Sequence, residues 1–463
     1  MMMNLGDAAL AVNGGTDAPD VAFFGVSTDS RSCKAGELFV ALKGEFFDGH
    51  NYVQDVLANG AAGALVERAW AVRKVGLPLV AADDTRLALG RLAAAWRQRF
   101  ALPLVGVTGS NGKTTVKEML AAILRAHLGA EAVLATTGNL NNDIGLPLML
   151  LRLRSEHRAA VIEMGMNHPG EIAYLTTIAR PTVALVTNAQ RAHLEGLGTL
   201  TDVARAKAEI FAGLAADGVA LVNADDPHAD LWRDLAGERR QISFGLGTAD
   251  VSGRWLPAGF GSRVLATTPW GQVGFDLAVP GEHNARNALA ALAAGLAVGV
   301  PPTVAAEALA AYTGIRGRLQ RRVGLKGALI IDDTYNANPD SMRAALDVLA
   351  ALPGRRIFVM GDMGEVGAAA GQFHDEVGGY AKSKGVDLLF ALGDLSIAAV
   401  GNFDGGGRHF KRPDDLTEAL KKELGADTTV LVKGSRFMRM ERVVDAIAET
   451  QLNHGDTGTG RRS

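Results

Sequence analysis

Strand-like and helical runs alternate along almost the whole chain of 463 residues, which predicts an α/β protein. Two observations sharpen this. The segment Gly106-Val107-Thr108-Gly109-Ser110-Asn111-Gly112-Lys113-Thr114-Thr115 joins a short apolar run, 102–107, to a helical pattern, 116–126. Strand, glycine-rich turn and helix in that order make a phosphate-binding loop. A second α/β rhythm, with no phosphate loop, begins near 314–317 and reads as a doubly wound, Rossmann-like domain. One core rarely grows beyond about 250–300 residues, so several domains are expected. The division read from the pattern is 1–100, 101–314 and 315–452. A polar, Gly/Thr-rich tail at 453–463 is expected to be disordered.

In the first segment, apolar runs at 21–24, 38–42, 63–66 and 79–81 read as strands, and 85–99 as the helix that closes the unit. In the second, 159–162, 183–187 and 219–222 are continuous apolar runs. They suit a parallel sheet covered on both faces. Residues 241–279 change to short alternating runs with Gly and Pro, which reads as a small antiparallel insert. A helix at 284–298 stops before Pro301-Pro302. In the third, strands at 328–331, 357–360, 388–392 and 430–432 alternate with helices at 340–352, 372–383, 414–424 and 438–449.

Composition excludes some classes. Lys and Arg number 47 against 50 Asp and Glu, a net charge of −3, so the basic excess of a nucleic-acid binder is missing. No apolar stretch is long enough to span a bilayer, and no stable membrane association is expected. The lone Cys33 cannot form an internal disulfide and fits a reducing, cytoplasmic setting.

The loop glycines let backbone N–H groups close on phosphate oxygens. Gly109, Ser110, Asn111 and Gly112 would cradle them. Lys113, expected to be exposed, would reach the terminal phosphates, and the Thr114 hydroxyl would hold Mg²⁺, with Thr115 beside it. Gly106 and Gly112 have five residues between them, one more than the strict motif. In doubly wound sheets ligands sit at strand carboxyl ends. Glu163 ends the run 159–162 there and could hold a metal ion; a solvated strand-end acid is the plainer reading. His193, six residues past Thr187, is a lone loop histidine. Lys207 lies on the apolar stripe Val203, Ile210, Phe211 and Leu214 of a helix read at 201–216. Periodicity favours a stem that packs while the amine reaches water. The alternative is an amine turned inward, where its charge must be paired or altered. The runs 281–287 and 332–341 hold more Asn and Asp than capping requires. Arg318 stands at the second boundary, where it could face a nucleotide across a cleft.

Together these segments resemble the Mur ligase family, ATP-dependent amide-forming enzymes of bacterial cell-wall synthesis. The family's loop variant is similar to Gly106–Thr115, and its Glu, His and helix lysine match Glu163, His193 and Lys207. His283-Asn284-Ala285-Arg286-Asn287, Gly317-Arg318 and Asp333-Thr334-Tyr335-Asn336-Ala337-Asn338-Pro339 match its other motifs. The resemblance covers essentially the whole chain, in order. Four stretches point to the member that adds D-alanyl-D-alanine to UDP-N-acetylmuramoyl-tripeptide. They are Ser27-Thr28-Asp29-Ser30-Arg31 with 38–44, then 137–145, Gly361-Asp362-Met363-Gly364, and Lys433-Gly434-Ser435-Arg436. An Asp-Asn-Pro-Arg motif typical of the preceding enzyme is not found.

The resemblance implies a three-domain Mur ligase architecture with a central P-loop sheet. It implies ATP and Mg²⁺ as cofactors and a carbamate on Lys207; a monomer is expected, though the sequence does not fix the oligomeric state. Mg²⁺ would be held by Thr114, Glu163 and His193. Asn287, Asp333, Asn336 and Asn338 would contact adenine and ribose, with Arg318 at the phosphates. Ser27, Thr28, Asp29, Ser30, Arg31 and Lys43 would hold the uridine diphosphate end. Asn139, Asn141, Asn142, Lys433, Ser435 and Arg436 would line the peptide sites. A folate polyglutamyl ligase and a nucleotide-dependent switch without ligase chemistry remain as alternatives.

Overall fold

The computed structural model describes residues 1–72, 74, 76–192 and 194–449. Three sheets carry most of the chain. The first is parallel, with strands in the order Gly25–Ser27, Glu37–Val40, Gly63–Glu67 and Leu79–Ala82. Helix Thr85–Arg97 follows, its N-cap Asp84 accepting from the N–H groups of Arg86 and Leu87. This helix does more than close the first unit. It packs on helices Gly145–Leu150 and Glu171–Ala179 of the next segment. Leu89, Leu92 and Trp96 enter a core continuous with Leu146, Met149 and Ile178. Trp96 Nε1 donates to the Leu153 carbonyl at 3.1 Å across that seam.

The central sheet has nine strands. Leu104–Thr108 lies between Val183–Val186 on one side and Ala159–Glu163 on the other. Its valines, leucines and alanines are buried from both faces, as a parallel sheet covered on both sides demands. The sheet runs outward from Val183–Val186 through Val219–Asn223 to Arg240–Gly245, all parallel. It ends in an antiparallel meander, Val251–Ala258, Gly261–Thr268 and Gly271–Leu277. The expected insert at 241–279 is therefore corrected. Its first strand is parallel and the rest extend the main sheet's edge, because Phe244 and Val251 pair in parallel.

The third sheet runs Gln320–Val323, Leu329–Asp333, Thr428–Lys433, Arg355–Gly361, Leu388–Leu392 and Gly407–Phe410, parallel except for its first strand. Two helices differ from expectation. The one read at 201–216 is an α-helix only over Leu200–Ala208 and tightens to a 3₁₀ turn over Glu209–Gly213. The one read at 438–449 is Glu441–Ile447. The tail 453–463 lies outside the described residues, in which no helix is long and apolar enough to cross a membrane.

Candidate active site at the strand carboxyl ends

The phosphate loop sits where the strand order of the central sheet reverses direction, the place where doubly wound sheets open a crevice. Gly109 has φ +142° and Gly112 φ +81°, conformations that only glycine adopts without strain. A Cβ on Gly109 would run into Thr187 Oγ1, so any larger residue would push that side chain aside as well as strain the backbone. The segment after strand Val183–Val186 holds the loop. Thr187 Oγ1 donates to the Asn111 carbonyl at 2.6 Å, and Asn111 N donates to Asn188 Oδ1 at 2.9 Å. Ser110 Oγ accepts from Gln190 N at 2.9 Å. Helix Lys113–Leu128 starts directly behind, its N-terminus adding partial positive charge.

Lys113 is half-buried rather than exposed, since its amine folds back to donate to the carbonyls of Gly109 and Ser110 at 2.7 and 3.0 Å. Burial pushes its pKa below the usual lysine range, with Glu163 opposing and Arg318 adding to the shift. Glu163 is 2% exposed. One oxygen accepts from Asn141 Nδ2 at 2.8 Å. The other, Oε2, is buried and has no hydrogen-bond partner among the described residues. A carboxylate oxygen held dry and unpaired is costly unless a cation or donor meets it. Behind Glu163, its N–H donates to Thr136 Oγ1, and the Thr136 carbonyl accepts from the buried Lys117 at 2.8 Å.

Lys207 is fully buried, so its amine does not reach water. Its Nζ has no hydrogen-bond partner among the described residues. Desolvation drives its pKa well below the lysine range, and the Lys113 charge pushes the same way. Both effects bias the amine toward its neutral form. His193 lies outside the described residues. Among those described, no group of three or more His, Cys, Asp or Glu gathers.

The third sheet faces the loop. Asp333 and Lys433 are in-register neighbours at the ends of adjacent parallel strands. They form a buried ion pair at 2.6 Å, and Lys433 also donates to the Asn336 carbonyl at 2.8 Å. Arg318 Nη2 donates to Thr114 Oγ1 at 2.9 Å while its guanidinium stacks 4.2 Å from the Tyr335 ring. Asn338 caps helix Pro339–Ala350 through Ser341 N and donates to Asn111 Oδ1 at 2.7 Å. Ser435 Oγ accepts from Gly364 N and donates to the Ala337 carbonyl.

Two cavities flank the loop. The larger, about 750 Å³, meets Lys113, Thr114, Asn139, Asn141, Asn142, Glu163, Asn336, Asn338 and Arg436. The smaller, about 420 Å³, meets Thr115, His283 and Asn287. Asn111, Gly112, Arg318, Asp333 and Lys433 line both. Asn287 is thus separated from Asn336 and Asn338, with which it was grouped from sequence. Half-buried His283 is pushed down to about 4 by desolvation, against the pull of Asp333. Ser27, Thr28, Asp29, Ser30, Arg31 and Lys43 line neither cavity. Arg31 instead clamps Asp29 with two hydrogen bonds, holding that exposed carboxyl at about 2.

Sequence comparison matches the same three regions to one family. Residues 23–97 match the Mur ligase family catalytic domain, 107–295 the Mur ligase middle domain, and 317–436 the Mur ligase glutamate ligase domain. The "UDP-N-acetylmuramoyl-tripeptide--D-alanyl-D-alanine ligase" of Escherichia coli (strain K12) is 43% identical over 443 residues, 95% of this chain and 96% of that one. The chain belongs to the Mur ligase family. Solved structures agree. MurF from Acinetobacter baumannii superposes with a TM-score of 0.90 at 38% identity, covering 96% of this chain and 98% of that one. MurF ligase from Thermotoga maritima, in complex with ADP, gives 0.82 at 28% identity, covering 92% and 97%.

Sequence reasoning missed several residues of this ligase's site. Asn188 and Gln190 hold the loop and stand at a strand carboxyl end, the signal that had flagged Glu163. Arg191 binds Asp340 at 2.7 Å and Glu376 at 2.8 Å, tying the central segment to the third sheet's helices. Nothing local marks that link, since the partners lie 149 and 185 residues away.

Proposed function

We propose that this chain joins D-alanyl-D-alanine to UDP-N-acetylmuramoyl-tripeptide, with ATP converted to ADP and phosphate. The observation that carries the reading is end-to-end similarity to ligases bearing that name, over a cleft that brings a phosphate loop, a dry carboxylate and a buried ion pair together. A tripeptide carboxylate oxygen attacks the γ-phosphorus and ADP leaves. The amine of D-alanyl-D-alanine then attacks the acyl carbon, loses a proton, and phosphate departs. Such transfer needs positioning and charge neutralisation more than covalent help.

Lys113 and the N–H groups of 109–115 bind the phosphates, with Arg318 reaching them from the third domain. The smaller cavity takes adenine and ribose through Asn287 and Asp333, while Asn336 and Asn338 act from the other side of the loop. Thr114 and Glu163 would hold Mg²⁺; the unpaired Glu163 Oε2 fits that role. The ion supplies neutralising charge at the phosphates. His193 is assigned to a second ion. Lys207 is assigned a carbamate, which a buried, unpartnered amine biased toward its neutral form supports, because addition to carbon dioxide needs the unprotonated form. Ser27, Thr28, Asp29, Ser30, Arg31 and Lys43 take the uridine diphosphate end. Asn139, Asn141 and Asn142 take the tripeptide, and Lys433, Ser435 and Arg436 the acceptor. The working unit is a cytoplasmic monomer of three domains, 1–100, 101–314 and 315–452.

Phosphate release, measured with ATP and the UDP-tripeptide, tests the reading. Release that depends on D-alanyl-D-alanine is expected. Release indifferent to that dipeptide would favour a nucleotide-driven switch and sink the ligase assignment.

A further inference from the structure

Arg86 and Leu87 are the residues of the first hundred that line the larger cavity. Arg86 lies in the first turn of helix Thr85–Arg97 and reaches Asp143 on the opposite wall. Its Nη2 donates to Asp143 Oδ1 at 2.9 Å and its Nε to Oδ2. Asp143 stands two residues beyond Asn141, whose amide holds Glu163. The pair is therefore set beside the reacting centre, on the peptide side of the cavity. It is only part-shielded, with the side chains 58% and 30% exposed.

The chemistry of this pair is specific. Asp143 occupies the Nε/Nη2 edge of the guanidinium, and the Nη1/Nη2 edge has no hydrogen-bond partner among the described residues. A second carboxylate can bind that edge in a two-point contact. Asp143 keeps lone pairs for an ammonium. A site with one fixed positive and one fixed negative charge has no net attraction for a lone cation. It does attract a group carrying both charges on neighbouring atoms.

We infer that Arg86 and Asp143 read the side-chain end of the tripeptide's third residue. They select a 2,6-diamino diacid, whose end carries an ammonium and a carboxylate on one carbon, over lysine, whose end is an ammonium alone. The inference rests on the ligase reading above.

Steady-state kinetics of the full chain with the two UDP-tripeptides, at saturating ATP and D-alanyl-D-alanine, tests it. The wild type should prefer the diamino diacid in kcat/KM by about tenfold, the scale of one part-shielded charge-assisted hydrogen bond. Arg86→Gln and Asp143→Asn should each bring that ratio close to one, chiefly through KM for the diamino diacid. A third peptide needs no variant: amidating the distal carboxylate should lower wild-type turnover to the lysine level. Equal losses on both peptides in the variants would overturn the inference. That result is expected of a mere latch between segments, or of a contact to a carboxylate that both peptides share. Equal wild-type turnover of all three peptides would overturn it too, while leaving the ligase reading intact. No acceptor-dependent turnover of any peptide would instead remove the ligase reading, and this inference with it.

Discussion

The central and C-terminal sheets are both wound mainly in parallel, and each buries a lysine near the shared cleft, yet the two lysines live differently. Lys433 is 3% exposed and pairs with Asp333 and the Asn336 carbonyl. Lys207 is fully buried and pairs with nothing among the described residues. A satisfied buried ion pair holds two strand ends together. An unsatisfied buried amine is biased toward giving up its proton, which leaves a lone pair free to react. Burial alone therefore does not say what a lysine does; its partners decide.

The largest expected effect lies outside the pair and calibrates it. Lys113→Ala should lower ligase turnover on the order of 10²–10³-fold, the usual cost of removing a contact to developing charge. Circular dichroism should stay native. Near-normal turnover would show that the loop does not handle phosphate.

Next comes the paired lysine. Lys433→Met leaves Asp333 buried without its cation and should cost about 3 kcal/mol in denaturant unfolding. The unpaired lysine should respond in the opposite sense. In carbonate-free buffer, Lys207→Met replaces an unsatisfied amine with an apolar chain of similar length. It should raise stability there by about 1 kcal/mol, and lower ligase activity in buffer that supplies carbon dioxide. If both variants lose stability equally, the contrast drawn above is wrong. If Lys207→Met keeps full activity, the lysine is structural only. Short carboxylates should partly rescue Lys207→Ala, by refilling an anionic position.

The remaining test is in pH. The folded pKa of His283 is depressed to about 4 from 6.5. Between those values the unfolded chain binds the extra proton, so this contribution is present above 6.5 and lost as pH falls toward 4. His283→Gln should flatten the stability–pH curve across that window relative to wild type. An unchanged slope would mean that His283 titrates normally in the fold. Lys207 works in the same sense over a window that ends at 10.5. Stability rises with pH from its depressed value up to 10.5, and Lys207→Met should abolish that slope.

The phosphate loop was legible from sequence because its chemistry is local: Gly109 and Gly112 need positive φ, and Lys113 follows within one turn. Glu163 was legible from its place at a strand end. The stripe through Val203 and Phe211 put the Lys207 stem on the packed face, since periodicity reports which face packs, but favoured an amine that reaches water, and the structure buries it instead. Periodicity could not reveal that the amine meets no partner, because that depends on what every other segment brings. The same limit applies to Gln241, read as antiparallel but paired in parallel with Ala220; strand direction is set by a neighbour, not by the strand.

What the sequence by itself determined is the short-range part: the α/β alternation, the loop, the caps, and the order of motifs that marks the family. Tertiary structure alone decided which distant groups meet. Asn111 finds Asn338 across 227 positions, Arg318 finds Thr114 across 204, and Arg86 finds Asp143 across 57. A side chain's spacing along the chain fixes its face on a helix or strand. Its partners follow only from how the sheets are stacked and closed, and those contacts set the charges on which the chemistry depends.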